Sequence, residues 1–304
     1  MKRDFRKILS LWKRHPLRKP LIVRGARQVG KTFIIEVFGR EEFANLVTLN
    51  FEVDSAYQGC FESMDPYVIV GQIELLTQQK IVPGETLLFL AEIQLCPKAL
   101  QSLRYFKEQL NELHVIAAGS LLEFAIQEED FSFPVGRVQF AKLYPLSFGE
   151  FLDSNGDSSL REALHTYDVS QPPPPAIHEH MLNIDPQHPG LMVGPLAEQF
   201  VGQEILAISD PLLDEHLFFW TREKVGSSAE VDYIISYENT VFPIEVKAGK
   251  AGRLKSLQVF LQEKRAHFGI KISQEPLSWD DHILTIPFYL IEHIYRLIAS
   301  LMPR

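Results

Sequence analysis

Residues Gly25 to Thr32, GARQVGKT, leave this chain fewer possible folds than any other stretch of it. The pattern G-x-x-x-x-G-K-[ST] needs a strand before it and a helix after it, and PLIVR and FIIEVF supply both. Gly25 and Gly30 let the backbone curl until its N–H groups face one point, with Ala26, Gln28 and Val29 lending their amides to the same ring. The following helix aims its positive N-terminus there too, so the concavity suits phosphate oxygens. Lys31 would reach the β- and γ-phosphates and Thr32 would ligate Mg²⁺. The ligand this spacing predicts is ATP with Mg²⁺.

The surrounding pattern fits a parallel sheet. Pro20 to Arg24, Leu46 to Phe51, Thr86 to Leu90 and His114 to Ala118 are short apolar runs that read as buried strands. Helix-like stretches separate them, around Lys31 to Phe38, Tyr67 to Gln79 and Pro97 to Leu110. Strands without polar alternation, joined by helices, predict a three-layer α/β domain with both sheet faces covered.

Composition shifts after Leu152. SNGDSS and QPPPPAIHEH hold too many Gly, Ser and Pro residues for regular structure, and four consecutive prolines predict a stiff extended connector. A helix from Leu196 to Ile208, strands at Leu217 to Trp220, Glu230 to Tyr237, Val241 to Val246 and near Ile270, and a closing helix from Tyr289 to Leu301 predict a second, smaller α/β unit. The expected organisation is a nucleotide-binding domain over 1–155, a proline-rich linker over 156–190 and a second domain over 191–304.

Three further residues bear on the phosphate loop. Glu92 follows the strand TLLFLA and suits orientation of an attacking water, though a solvated strand-end charge is its plain alternative. The preceding position, where an aspartate normally holds the Mg²⁺ shell, is Ala91; that predicts nucleotide binding with slowed hydrolysis. Ser120 could sense the γ-phosphate or simply end its strand. Arg137 could act as an arginine finger toward a neighbouring subunit of a homo-oligomer, or be a surface arginine.

In the second unit, Asp232, Glu245 and Lys247 form D-x12-E-x-K on two strand candidates. Alternation puts Glu245 and Lys247 on one face, where Asp232 from the next strand could join Glu245 around a divalent metal, with Lys247 acting on the attacking water. Glu198 could add a carboxylate. An ordinary surface Lys/Glu pair is the competing reading, worth no more than ~1 kcal/mol.

Charge and cysteine content narrow the partners. The net charge of −9 conceals a basic start: residues 1–31 hold eleven Lys or Arg against one acid, Asp4. Such an arm could meet nucleic acid or be a solvated helix. Residues 191–304 hold fifteen acids against eleven Lys and Arg, so no broad DNA-binding face is expected, although Lys247, Lys250, Arg253 and Lys255 cluster locally. The two cysteines, Cys60 and Cys96, fall in no CxxC or Cys/His pattern, which argues for a reducing cytoplasm and against a zinc site. No apolar run approaches the ~20 residues of a membrane span.

VRGARQVGKT, LLFLAEIQ, HVIAAGSLLEF, FPVGRVQF and LYPLSFGEFL, in that order, resemble the AAA-type ATPases that carry a C-terminal DUF4143 domain. GPLAEQFVGQEIL, FFWTR, AEVDYII and FPIEVKAGKAGRLKSL resemble the DUF4143 half. The resemblance implies an AAA-like first domain and a second domain similar to the PD-(D/E)XK, or restriction-endonuclease-like, fold. The family shows aspartate at the position of Ala91, and a longer stretch where only NIDPQHPG stands here, so an internal shortening is expected. The leading expectation is an ATP-binding switch whose nucleotide state regulates a nuclease-like domain. The alternatives are an ATP- and metal-dependent DNA nuclease and a non-catalytic ATP-binding module.

Overall fold

A computed structural model describes residues 3–120, 136–184, 195–222, 229–247 and 254–302. The chain divides into two compact units: residues 2–145 with 210–214, and residues 146–209 with 215–304.

The first unit opens with helix α1 (Phe5–Arg14) and strand β1 (Leu21–Arg24), followed by α2 (Lys31–Glu42), β2 (Asn45–Asn50), α3 (Pro66–Thr77), β3 (Thr86–Ala91), α4 (Pro97–Gln109), β4 (His114–Ala118) and β5 (Gln139–Lys142). Its five strands pair in the order β2-β3-β4-β1-β5, and every pairing is parallel. Alternation along each strand splits the core in two. Ile22, Leu88, Leu90, Val115 and Ala117 pack with Ile69 and Ile73 of α3 and Leu100, Leu103 and Phe106 of α4. Leu21, Val23, Leu87, Phe89, Ile116 and Ala118 face the other way, onto Phe5, Leu9 and Trp12 of α1 and Ile34, Ile35 and Phe38 of α2. This is the expected three-layer parallel α/β domain. Strand β5, which the apolar runs do not announce, sits at the sheet edge beside β1. Residues 210–214 return to it: the Lys142 amide donates to the Pro211 carbonyl at 2.8 Å, and Asp214 pairs with Arg24 at 3.6 Å.

The second unit holds α5 (Phe148–Asn155), α6 (Ser158–Leu164), α7 (Pro175–Leu182), α8 (Pro195–Ala207), β6 (Phe218–Thr221), β7 (Glu230–Tyr237), β8 (Thr240–Lys247), α9 (Lys255–Lys264), β9 (Gly269–Ser273), β10 (Ser278–Asp280), β11 (Ile283–Pro287) and α10 (Ile294–Leu301). Its strands form a mixed sheet in the order β10-β11-β9-β8-β7-β6, with β8, β9 and β11 mutually parallel. Phe242, Ile244, Ile270, Ile272, Leu284 and Ile286 build its core with Val201 and Ile205 of α8 and Leu297 and Ile298 of α10. Trp220 is half-buried and packs edge-on against Phe260 of α9, whereas Phe218 and Phe219 beside it are exposed, so the aromatic run is not part of the core. Strands β10 and β11 were not expected, and the closing helix starts as a 3-10 turn over Phe288–His293 because Pro287 ends β11 immediately before it.

The connector expected over 156–190 is different in structure. Its described part carries α6 and α7, and Leu164 and Met181 are buried in the second core. The proline run explains both outcomes. Pro174 is extended (φ −55°, ψ 149°), while Pro175 takes the first helical position, where its missing N–H costs nothing and its fixed φ suits the helix. The stretch where a shortening is expected lies mostly outside the described residues.

Candidate functional site

The phosphate loop leaves β1 at Arg24 and enters α2 at Lys31. Gly25 turns with φ +145°, and a Cβ there would stand 2.2 Å from the Leu143 carbonyl oxygen, so only glycine fits. Gln28 (φ 65°) and Gly30 (φ 89°) are also left-handed, and Gly30 caps α2. Lys31 is buried, and its ammonium donates to the carbonyls of Gly25 at 2.9 Å and Ala26 at 2.7 Å. Burial lowers the Lys31 pKa, and the charge of Glu92 works against that shift. The lysine is therefore held within the loop's own curve, in reach of the field of Glu92. Thr32 follows it in the first turn of α2 and is partly exposed.

Parallel strands bring the other expected residues to the same edge. Glu92 directly follows β3, with φ +52°, and its carboxylate accepts from the Gln94 side-chain amide at 2.7 Å. Ala91 is buried, in register with Asn50 on one side and Ala118 on the other. Ser120 comes two residues after β4, whose Ala118 is the register partner of Val23. Loop, Glu92 and Ser120 thus share the carboxyl edge of the sheet, where ligands of open α/β sheets bind. Arg137 does not join them. It precedes β5 and so lies at the amino edge, where its guanidinium donates to Glu108 at 2.8 Å.

One residue of this region escapes sequence reasoning. Arg3, only 7% exposed, donates to the Val29 carbonyl of the loop at 3.0 Å and to the Tyr144 carbonyl at 2.7 Å, with a longer contact to Pro145 at 3.4 Å. A count of basic residues places Arg3 in a charged arm; nothing local marks it as a loop contact.

The second constellation lies on β7 and β8. The ladder between them runs from Tyr237↔Thr240 to Tyr233↔Ile244, and beyond it the Asp232 carboxylate accepts from the Val246 amide at 2.7 Å. Lys247 pairs with Glu245 at 2.5 Å, while the other Glu245 oxygen is buried with no hydrogen-bond partner among the described residues. Glu245 is the register partner of Lys271 on β9, a buried lysine that D-x12-E-x-K does not reveal. Burial raises the pKa of Glu198, Asp232 and Glu245; the charge of Asp232 adds to the shifts of Glu198 and Glu245. These carboxylates therefore feel one another. Among the described residues, no group of three or more His, Cys, Asp or Glu side chains is arranged to hold a metal ion. Lys250 and Arg253 of the expected basic cluster lie outside the described residues, and no described helix is long and apolar enough to cross a membrane.

Residues 17–152 match the family model described as "AAA domain", and residues 193–291 match "Domain of unknown function (DUF4143)". No curated protein matches the chain. Among solved structures, Aeropyrum pernix ORC1 in complex with DNA aligns at 12% identity over 51% of this chain and 47% of its own, with a TM-score of 0.33. A Walker-type ATPase of Pyrococcus abyssi aligns at 14% over 67% and 74%, with a TM-score of 0.32. AMPPCP-bound DnaA from Aquifex aeolicus aligns at 12% over 59% and 55%, with a TM-score of 0.29. The chain spans about half the length of the ORC1 and DnaA structures, and likenesses this distant carry no functional argument. The AAA match takes in the phosphate loop, and the DUF4143 match takes in the mixed sheet. The chain thus joins a segment that matches an AAA domain to a C-terminal segment that matches DUF4143.

Proposed function

We propose that the protein is an ATP-binding switch of slow or absent turnover, in which the nucleotide state of the first unit regulates the second. The observation that carries the reading is the loop: strand, left-handed glycines and a buried lysine curled at a helix N-terminus. The residues present fit a nucleotide with Mg²⁺. Lys31 would exchange its bonds to Gly25 and Ala26 for phosphate oxygens, Thr32 would hold the ion, and Glu92 would orient water. Bound there, Mg²⁺ would offset charge on the transferred phosphoryl group. Ala91 offers no carboxylate to the shell of that ion, which supports binding without rapid hydrolysis. Calorimetric titration with MgATP, followed by phosphate release on the same sample, tests this. Wild-type protein should bind with little release, and Lys31→Ala should lose binding; a wild type that binds nothing would make the loop a relic.

A second reading, a metal-dependent DNA nuclease in the second unit, is favoured by the buried Glu245 oxygen, which has no hydrogen-bond partner among the described residues, on strands that also carry Asp232, Lys247 and Lys271. Nicking of supercoiled DNA with Mn²⁺, abolished by Asp232→Ala, is its expected result. High-purity protein that leaves DNA intact eliminates it.

A further inference from the structure

The peptide joining Val29 to Gly30 can turn over at little steric cost, because Gly30 lacks a Cβ and holds φ +89°, with no described residue within 4 Å of where one would stand. In a planar trans peptide the carbonyl and the following N–H point to opposite sides. Whatever grips the Val29 carbonyl therefore sets the direction of the Gly30 N–H. That grip is the guanidinium of Arg3, whose Nη1 donates to the Val29 oxygen at 3.0 Å. The contact is part-buried, with Arg3 itself 7% exposed, so competition with bulk water is reduced.

We propose that Arg3 is a positioning residue for nucleotide binding, fixing the Val29–Gly30 peptide so that the Gly30 N–H faces the phosphate, and tying the loop to the backbone that leaves β5. The inference rests on the ATP-binding reading and extends it. The second half of the proposal follows from the other hand of the same fork. Nη2 donates to the Tyr144 carbonyl at 2.7 Å and reaches the Pro145 carbonyl at 3.4 Å. Leu143, one residue earlier, already presses its carbonyl against Gly25. Residues 143–145 are thus held to the loop at two points, and Leu146 is the first residue of the second unit. A planar guanidinium with donors in a fixed fork can satisfy carbonyls from both segments at once, which an ammonium cannot do with the same rigidity. Phosphate that draws the Gly30 N–H forward pulls on the Val29 carbonyl, and through Arg3 on Tyr144 and Pro145. The sequence-level expectation for the basic start, nucleic acid or solvent, is replaced for this residue by a partner inside the fold.

The test compares wild type with Arg3→Met, which keeps the stem and removes the fork, with Arg3→Lys, and with Arg14→Met at an exposed position of α1 as control. Calorimetry with MgATP and with magnesium tripolyphosphate, which has no base or sugar, is paired with amide hydrogen exchange of nucleotide-free protein. Arg3→Met should weaken both ligands by the same factor, about tenfold or more, the size of one charged hydrogen bond. Arg3→Lys should fall between, and Arg14→Met should match wild type. Exchange should quicken together in peptides covering 25–32 and 143–147, and only in the Arg3 variants. A wild type that binds while Arg3→Met binds equally well overturns the proposal and leaves the ATP reading standing. Loss for MgATP but not for tripolyphosphate overturns it too, since the defect would then lie at the base. A wild type that binds neither ligand sinks the ATP reading, and the phosphate role of Arg3 with it. If Arg3→Met does not fold, Arg3→Lys carries the same comparison.

Discussion

At the scale of single residues, Ala91 and Arg3 mark the limits of reading a motif. The glycines of the loop are legible because the backbone conformation they permit is what the pattern encodes; the missing Cβ allows the positive φ that Gly25 and Gly30 adopt. Arg3 is not legible, since its partners lie 26 and 141 residues further along the chain. Ala91 is legible as a departure, and the structure shows what it costs to reverse. The residue is 1% exposed, between Asn50 and Ala118. An aspartate there would be a buried carboxylate, penalised by several kcal/mol unless a cation answers it. Ala91→Asp should therefore lower the melting temperature of nucleotide-free protein and recover part of the loss with MgATP. Phosphate release measured beside it should rise above wild type if Ala91 is what limits turnover. No rise would place the limit elsewhere in the first unit.

At the scale of elements, helices are fixed by partners that composition does not name. The basic start becomes α1 because Phe5, Leu9 and Trp12 recur at helical spacing and bury one face, while several cations of the helix and of the turn after it find partners within the unit. Arg6 pairs with Glu41 and Glu42, Lys13 with Glu42, and Arg18 donates to the carbonyls of Asn111 and Glu112. Each exposed pair contributes little, so the apolar stripe holds the helix. Helix α5 is anchored differently. Ser147 and Glu150 form a capping box, and the Phe148 amide donates to Glu204 of α8 at 2.9 Å. Burial pushes the Glu204 carboxyl up to about 8, the Phe148 amide opposing the shift and the charges of Glu292 and Glu150 adding to it. The sign follows from proton counts. Below the ordinary value of 4.5 both folded and unfolded chains hold the proton. Between 4.5 and about 8 the unfolded chain releases it while the folded one keeps it, so this group makes stability fall as pH rises. Above that range the penalty is constant. Glu204→Gln keeps an acceptor for Phe148 and should flatten this part of the profile, gaining most over wild type near pH 8. Urea midpoints at pH 5, 6.5 and 8 give the answer; equal slopes for both proteins would refute it. His293, buried and lowered to about 3, acts in the opposite sense below its ordinary 6.5, because folding there requires it neutral. The Glu204 effect is therefore read most cleanly above that value.

At the scale of the whole molecule, the sequence by itself determined the parallel sheet, the phosphate loop, and the presence of a second α/β unit. The reason is that each rests on short-range information: apolar runs of strand length and glycines that license one backbone path. Tertiary structure alone decided the rest. Strand β5 is four residues long and gains its place from pairing with β1, not from its own pattern. The units divide after Pro145, and α6 and α7 belong to the second core because Leu164 and Met181 find apolar partners there. Arg137 pairs with Glu108 at the amino edge of the sheet because parallel pairing sends every strand start to that side. The setting of Glu245 beside Lys271 depends on the parallel register of β8 and β9, which no spacing along the chain encodes. The contact of Arg3 with the loop has the same origin. Burial and register are properties of elements once they have met, and the amino-acid sequence states them only through the fold.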